Sequence, residues 1–178
     1  SDYYQAYSGA LPVSLTTVTL GDVCSLPASY FRDASHITAV TLGFVTSSSA
    51  TPSIGSYAFE GCTSLNDSVL DTVGGVQSIG NRAFAECEAF TEAVIPDSVT
   101  SLGSNIFYDC PNIESLTVEE SSIYADSYSY TLSDLFGASG QGNSSYDSSS
   151  GGYVYEFYNA YNGYVPTALT SVTFWNVE

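Results

Sequence analysis

The sequence contains no lysine and no methionine, and its only basic residues besides one histidine are Arg32 and Arg82, against 19 acidic residues. The formal net charge is −17 at pH 7. Nucleic acids and anionic membrane surfaces would repel such a chain, so we expect it to bind neither. Serine, threonine, tyrosine and glycine are abundant instead. This composition favours an extracellular or cell-surface protein.

Long apolar runs and enzyme motifs are also lacking. No run of about 18 apolar residues occurs, so no membrane-inserted helix is expected. The start, SDYYQAYSG, lacks the basic residues and apolar core of a signal peptide, so an exported protein would have its leader removed or outside this segment. No nucleophile elbow, P-loop, HExxH or dinucleotide-binding motif accompanies the single histidine, His36. We therefore expect no enzyme activity.

The sequence does contain an internal repeat. The segments IGSYAFEGCTSLNDSVL, IGNRAFAECEAFTEAVI and LGSNIFYDCPNIESLTV share a glycine, a phenylalanine and a cysteine at equivalent places. Phe59, Phe84 and Phe107 stand 25 and 23 residues apart. A unit of this size cannot bury its apolar face alone but can do so when units stack. The repeat therefore predicts a solenoid.

Stacked repeats predict ladders of equivalent side chains. We expect an aromatic spine, an Ile/Leu ladder and a ladder of buried free thiols: Phe31, Phe59, Phe84 and Phe107; Leu26, Ile54, Ile79 and Leu102; and Cys62, Cys87 and Cys110. The thiols should stay free because ladder side chains run parallel and do not point at one another. A glycine follows the Ile/Leu ladder at positions 55, 80 and 103, where either a positive φ or a close approach is required. Pro27 takes that place in the first unit, so its turn must differ.

Each repeat ends in a short segment where apolar residues alternate with polar ones, as in Ala93 and Ile95 or Leu116 and Val118. Alternation predicts a half-buried strand. We predict one short parallel strand per repeat, with helical or irregular turns on the opposite side. Solenoids commonly bind partners on the concave sheet face. The candidate binding residues on this face are Asp67, Val69, Glu92, Val94, Ser115 and Thr117.

The shared skeleton resembles the BspA-like leucine-rich repeats of bacterial surface proteins, whose units carry the pattern IGxxAFxxCxxLxxVxIPxxV. AFEGCTSL, AFAECEAF and VIPDSVTSLG match it, while Ala34 and Phe90 depart from it. The resemblance implies a leucine-rich-repeat solenoid, an α/β repeat with parallel short strands on one face. It also implies a secreted or surface-attached, non-catalytic module for adhesion or protein binding. We predict a single domain over residues 1–178 with about six rungs.

A Tyr/Ser/Gly-rich insertion is predicted over residues 137–164, within the last rung. Binding loops use this composition, because rigid tyrosine rings stand among adaptable polar groups. The candidates for contact with a protein or glycan ligand are Tyr146, Tyr153, Tyr155, Tyr158 and Tyr161. A carbohydrate-binding module is therefore an alternative function. The other interpretation is that these rings pack along the flank of the solenoid.

The two ends of the chain are similar in sequence. Residues 155–178 align without gaps on residues 1–24, and neither end shows a capping unit with a polar outer face. Contact between unlike ends does not close on itself and would build a fibre. Head-to-tail self-association into an extracellular filament or surface array is thus another alternative. Its candidate contact residues are Tyr3, Tyr4, Tyr7, Phe174 and Trp175.

Calcium is the only cofactor for which the sequence offers candidate ligands. Asp126, Asp134 and Asp147 stand among serines and asparagines whose oxygens suit this ion. No EF-hand motif is present, and diffuse counterion binding is the alternative. Zinc is not expected, because the cysteines form no close pair.

Overall fold

The structure is a computed structural model, and it describes residues 11–44, 51–119, 132–137, 144–147, 152–155 and 165–174. Its helical elements are a 3-10 helix over Asp67–Thr72 and a short α-helix, α1, over Leu132–Phe136. Its strands in chain order are β1 Thr17–Val23, β2 Ser25–Leu26, β3 Ala39–Phe44, β4 Ser53–Ile54, β5 Ser78–Ile79, β6 Glu92–Ile95, β7 Ser101–Leu102, β8 Ser115–Val118, β9 Ser144–Asp147, β10 Gly152–Tyr155 and β11 Ser171–Phe174.

Four two-residue strands form the most regular part of the fold. They pair in parallel in the order β2-β4-β5-β7, and each places one serine and one aliphatic residue in register with the next strand. The aliphatic positions are those of the predicted Ile/Leu ladder, Leu26, Ile54, Ile79 and Leu102, which is therefore confirmed. Short parallel strands stacked in this way make the chain a solenoid.

The strands at the ends of the repeats form two further parallel sheets. β1 pairs with β3, and β8 lies between β6 and β11. In β6 and β8 every second residue is buried, namely Ala93, Ile95, Leu116 and Val118. These are the apolar residues whose alternation predicts strands, so the sequence pattern identifies β6 and β8 correctly.

One repeat departs from the predicted strand pattern. A strand is expected up to Leu70, but the 3-10 helix stands in its place between β3 and β6. Val69 and Leu70 are both buried. Neighbouring residues of a strand point to opposite faces, so two adjacent residues reach one core more readily from helical backbone. Asn66 caps this helix, because its side-chain oxygen accepts a hydrogen bond from the Ser68 N–H.

Buried phenylalanine rings stack along the interior as the predicted spine. The ring centroids are 5.3 Å apart for Phe31 and Phe59, 5.2 Å for Phe59 and Phe84, and 6.0 Å for Phe84 and Phe107. Phe136 of α1 extends the row of rings: its ring centroid lies 6.1 Å from that of Phe107, with the two ring planes tilted by 41°. The spine is therefore confirmed, and it reaches one ring further than the four that the repeat defines.

The backbone around each phenylalanine repeats the same irregular geometry. The residues two places before and two places after Phe84 have positive φ, 53° at Arg82 and 59° at Glu86, and the other repeats share the pattern. Alternate N–H groups donate to the next repeat, from Arg82 to the Ser104 carbonyl at 2.9 Å and from Phe84 to the Ile106 carbonyl at 3.0 Å. This part of the described repeats is thus an irregular turn and not a helix.

β9 and β10 form an antiparallel hairpin within the residues predicted as an insertion. Tyr153 and Tyr146 are register partners in this hairpin, and Tyr153 and Tyr155 alternate with Gly152 and Val154 along β10. The rung number, the single domain over residues 1–178 and the insertion bounds 137–164 stay predictions.

Candidate binding surface

Outward-facing residues of the strands line up in two rows. One row pairs Thr19 with Thr41 on the first sheet, and the equivalent row on the other sheet consists of Val94, Thr117 and Thr173. The second row runs beside it, two residues earlier in each strand. We call this surface the strand face; its residues are Thr17, Thr19, Ala39, Thr41, Glu92, Val94, Ser115, Thr117, Ser171 and Thr173.

Four of the predicted binding residues lie together on the strand face. Glu92 is paired in register with Ser115, and Val94 with Thr117, so the four side chains form a two-by-two patch across β6 and β8. Glu92 is exposed, and the other three are half-buried. The sequence pattern thus placed these residues on the outward side of the sheet, but their binding role stays a prediction.

Asp67 lies beside this patch and joins the 3-10 helix to β6. Its Oδ2 accepts hydrogen bonds from the Thr91 hydroxyl at 2.7 Å, the Thr91 N–H at 3.1 Å and the Glu92 N–H at 3.0 Å. Partial burial raises the pKa of Asp67, but these hydrogen bonds outweigh it and hold the pKa below its ordinary value of 3.8. The carboxylate therefore links two repeats, and its Oδ2 is already engaged by protein groups.

Val69 is not part of the binding surface. It is fully buried, at 0% exposure, because the 3-10 helix turns it into the core. Its prediction as an outward residue is therefore wrong, and the cause is the missing strand in this repeat. The same helix binds β3 through Thr72, whose hydroxyl accepts a hydrogen bond from the Leu42 N–H at 3.2 Å.

Both arginines meet at one buried carboxylate, which the sequence patterns did not identify as a site. Glu60 is 4% exposed; its Oε2 lies 2.7 Å from Nη2 of Arg32, and its Oε1 lies 2.7 Å from Nε of Arg82. Arg82 also binds Glu86, at 2.9 Å from Nη2 to Oε1. A buried carboxylate is stable only when such partners compensate its desolvation. The cluster therefore occupies both guanidinium groups with structural contacts.

Aromatic rings complete this cluster. The guanidinium carbon of Arg82 lies 4.1 Å from the ring centroid of Tyr108, and that of Arg32 lies 5.4 Å from the centroid of Tyr57. These distances are within the range of cation–π attraction. A signal for the cluster was present in the sequence, since Arg32 and Glu60 each directly follow the phenylalanine of their repeat and must stack as neighbours.

The three cysteines of the repeat form the predicted buried ladder of free thiols. Each thiol donates to the carbonyl of the phenylalanine one repeat earlier: Cys62 to Phe31 at 3.0 Å, Cys87 to Phe59 at 3.4 Å and Cys110 to Phe84 at 3.2 Å. Burial raises the pKa of Cys62 and of Cys110 to about 12, and raises that of Cys87 well above its ordinary value. Neutral, enclosed thiols are packing residues and not nucleophiles.

The other predicted contact residues fall largely outside the described structure. Tyr3, Tyr4, Tyr7, Tyr158, Tyr161 and Trp175 lie outside the described residues, and for Tyr146, Tyr153, Tyr155 and Phe174 only the strand backbone is described. Phe174 ends β11 as the register partner of Val118. Binding through these residues therefore stays a prediction.

The predicted calcium ligands are not brought together by the described structure. Asp134 is exposed in α1, Asp147 ends β9, and Asp126 lies outside the described residues. Within the described ranges no group of three or more His, Cys, Asp or Glu side chains is placed to hold a metal ion. Calcium binding stays a prediction. In the same part of the chain no helix is long and apolar enough to cross a membrane.

Comparison with known proteins identifies the repeat. The family model described as BspA type Leucine rich repeat region (6 copies) matches residues 52–139. Neither a curated protein nor a solved structure matched the chain. The matched residues contain the strands β4–β8, the rings of Phe59, Phe84 and Phe107, and all three buried cysteines. Residues 52–139 of the chain are therefore a BspA-type leucine-rich-repeat region.

Proposed function

We propose that the chain is a non-catalytic extracellular or cell-surface module that binds another protein on its strand face. The observation that carries this proposal is the row of Val94, Thr117 and Thr173, which are in register on three parallel strands. Parallel strands lie about 4.8 Å apart, so methyl and hydroxyl groups repeat across this surface at short, regular spacing. BspA-type leucine-rich repeats are repeat modules suited to protein binding and generally without catalysis.

Charge supports a protein partner over an anionic polymer. Both arginines are held in ion pairs around Glu60, on the phenylalanine segments of the repeats and away from the strands. The strand face itself carries Glu92 and no basic residue. Repulsion would keep nucleic acid and anionic lipid from this face, while neutral hydroxyls and one carboxylate suit the polar rim and mixed core of a protein interface.

The test is binding of the purified chain to an array of extracellular and cell-surface proteins, followed by titration against the strongest binder. Thr41→Lys and Thr173→Lys each insert a long charged side chain at an exposed position of the strand face. We expect each variant to weaken binding by about tenfold or more, since about 1.4 kcal/mol of lost contact energy is a factor of ten in Kd.

Ser64→Lys is the matched control, because it adds the same charge at an exposed turn residue outside the strand face. It should leave the affinity unchanged. An equal loss in all three variants would show that net charge, and not the strand face, governs binding. A glycan array tests the carbohydrate alternative: glycan binding that Tyr155→Ala and Tyr158→Ala abolish, and that the strand-face variants leave intact, would replace the proposal.

A further inference from the structure

Glycines at three equivalent positions connect successive turns of the solenoid. Each follows the aliphatic residue of a two-residue strand, and its N–H donates to the carbonyl of the aliphatic residue one turn earlier. The bonds run from Gly55 to Leu26 at 2.8 Å, from Gly80 to Ile54 at 2.8 Å and from Gly103 to Ile79 at 2.7 Å. A turn that stacks on an earlier one therefore uses a backbone N–H at this position.

The same glycines bring the turns closer together than any side chain allows. A Cβ on Gly55 would lie 2.4 Å from the Ala28 nitrogen, and a Cβ on Gly80 would lie 2.4 Å from the Ser56 nitrogen. None of the three glycines at positions 55, 80 and 103 has a positive φ. Of the two explanations that the sequence offers for them, close approach is thus confirmed and positive φ is excluded.

Pro27 occupies the equivalent position after β2, but it can neither donate an N–H to an earlier turn nor allow the close approach that glycine permits. Proline has no N–H to donate, and its ring fills the space that glycine leaves open. β2 is the edge strand of its four-stranded ladder. We propose that Pro27 terminates this ladder, so that neither a preceding turn nor a second copy of the chain can stack on β2 in the register of the other turns.

This role gives the solenoid a cap made of one residue, where the sequence shows no capping unit. An edge strand with an open N–H is a template for pairing with another chain. At position 27 the N–H is absent and the approach is blocked, so one end of the two-residue ladder is closed to self-association. A filament that grows by adding turns to β2 is therefore disfavoured by the chain's own sequence.

The experiment moves Pro27 from the edge of the ladder into its interior. Residues 80–102, one regular turn, are duplicated and inserted between Leu26 and position 27. The thermal midpoint is then measured with Pro27 and with Pro27→Gly, in the native and in the extended chain. In the native chain Pro27→Gly should lower the midpoint, because glycine raises the entropy of the unfolded chain. In the extended chain Pro27→Gly should raise the midpoint. Position 27 now faces a preceding turn, and there glycine can donate its N–H and allow the close approach that proline prevents.

The control extended chain carries the same duplicated residues after Leu102, so that the added turn meets Gly103, and it should unfold cooperatively. A shift in the same direction in the native and extended chains would overturn the proposal. So would loss of cooperative unfolding with both residues at position 27 when the control retains it. A measurement without insertion is Gly80→Pro in the native chain: it should abolish cooperative unfolding, and a midpoint near that of the native chain would also refute the proposed block.

Discussion

At the scale of single residues, a carboxylate takes the place of a backbone carbonyl at Asp67. In three other repeats one carbonyl before the strand, that of Thr16, Thr91 or Glu114, accepts two consecutive N–H groups. The Thr91 carbonyl, for example, accepts from Glu114 at 2.8 Å and from Ser115 at 3.4 Å. One repeat earlier the Thr91 and Glu92 N–H groups are bound by Oδ2 of Asp67 instead. The side chain thus satisfies two backbone donors where the 3-10 helix interrupts the sheet.

Replacing Asp67 should therefore destabilise the fold. Asp67→Ala leaves the Thr91 and Glu92 donors without this acceptor and should lower the free energy of unfolding by about 1–2 kcal/mol. Loss of a fully buried charged acceptor would cost more, but this site is half-exposed and water can replace part of the interaction. Asp67→Asn keeps an acceptor oxygen and should cost less. Denaturant titration measures both, and Asp71→Ala, at an exposed position of the same helix, is the matched control. Equal losses at positions 67 and 71 would contradict the role.

The same carboxylate gives stability a dependence on pH. The pKa of Asp67 is lower in the folded chain than its ordinary value of 3.8, so folding favours the ionised form. This contribution is complete above the pKa of the unfolded chain and is lost as the pH falls through the folded pKa. The difference between the native chain and Asp67→Asn should therefore shrink between pH 6 and pH 3. A difference that stays constant over this range would show that the charge contributes nothing.

The buried thiols predict a simple pattern of reactivity. Cys62, Cys87 and Cys110 are fully enclosed and have raised pKa values, so they stay protonated and unreactive in the folded chain at pH 8. Cys24 is exposed and should react with an alkylating reagent. Mass spectrometry should find one modified cysteine before denaturation and four after it, without reductant. Two cysteines still unmodified after denaturation would show a disulfide.

At the scale of elements, the sequence predicted two kinds of feature: strands, which show as alternating apolar and polar residues, and ladders, which show as residues that recur at the repeat distance. Ala93 and Ile95 alternate with polar residues and form β6, and Phe84 recurs at the repeat distance and stacks in the spine. The 3-10 helix was missed because the repeat was extended across Val69 and Leu70, although two adjacent apolar residues do not alternate. The ion cluster at Glu60 was missed because its partners stand about one repeat apart in the chain, and only a comparison of the equivalent positions after Phe31 and Phe59 places Arg32 beside Glu60. For the glycines at positions 55, 80 and 103, the sequence left two explanations open, a positive φ and a close approach of the backbone, and only the structure decides between them.

The stacking distance between elements predicts opposite effects for two glycines. A Cβ at Gly80 would overlap the Ser56 backbone, so Gly80→Ala should cost roughly 1–3 kcal/mol or more through displaced turns. Gly74 is exposed and has no positive φ, and a Cβ at this position would have no atom within 4 Å. Gly74→Ala should therefore leave stability unchanged or raise it by up to about 1 kcal/mol. Denaturant titration compares the two, and a harmless Gly80→Ala would show that the turns are not held at this distance.

At the scale of the whole molecule, charge is distributed unevenly. All of the basic side chains apart from His36 belong to one cluster, where Arg32 and Arg82 surround the buried Glu60. Asp33 lies at the edge of this cluster, with its Oδ2 3.9 Å from Nε of Arg32, whereas exposed acidic residues such as Glu92 and Asp109 lie outside it. Salt screens exposed charges strongly and buried pairs much less. Added salt should therefore relieve repulsion among the carboxylates more than it weakens the cluster at Glu60.

The thermal midpoint should accordingly rise as NaCl increases from about 10 mM to about 150 mM, where the screening length falls from about 30 Å to about 8 Å. A falling midpoint would show that the arginine ion pairs outweigh the repulsion.

CaCl2 and MgCl2 at matched ionic strength then separate diffuse counterions from a specific calcium site at Asp126, Asp134 and Asp147. Diffuse binding should give the same midpoint with both ions, because they carry the same charge. A calcium site would add a saturable increase that magnesium does not reproduce, since ligand binding to the folded state stabilises it by RT ln(1 + [L]/Kd).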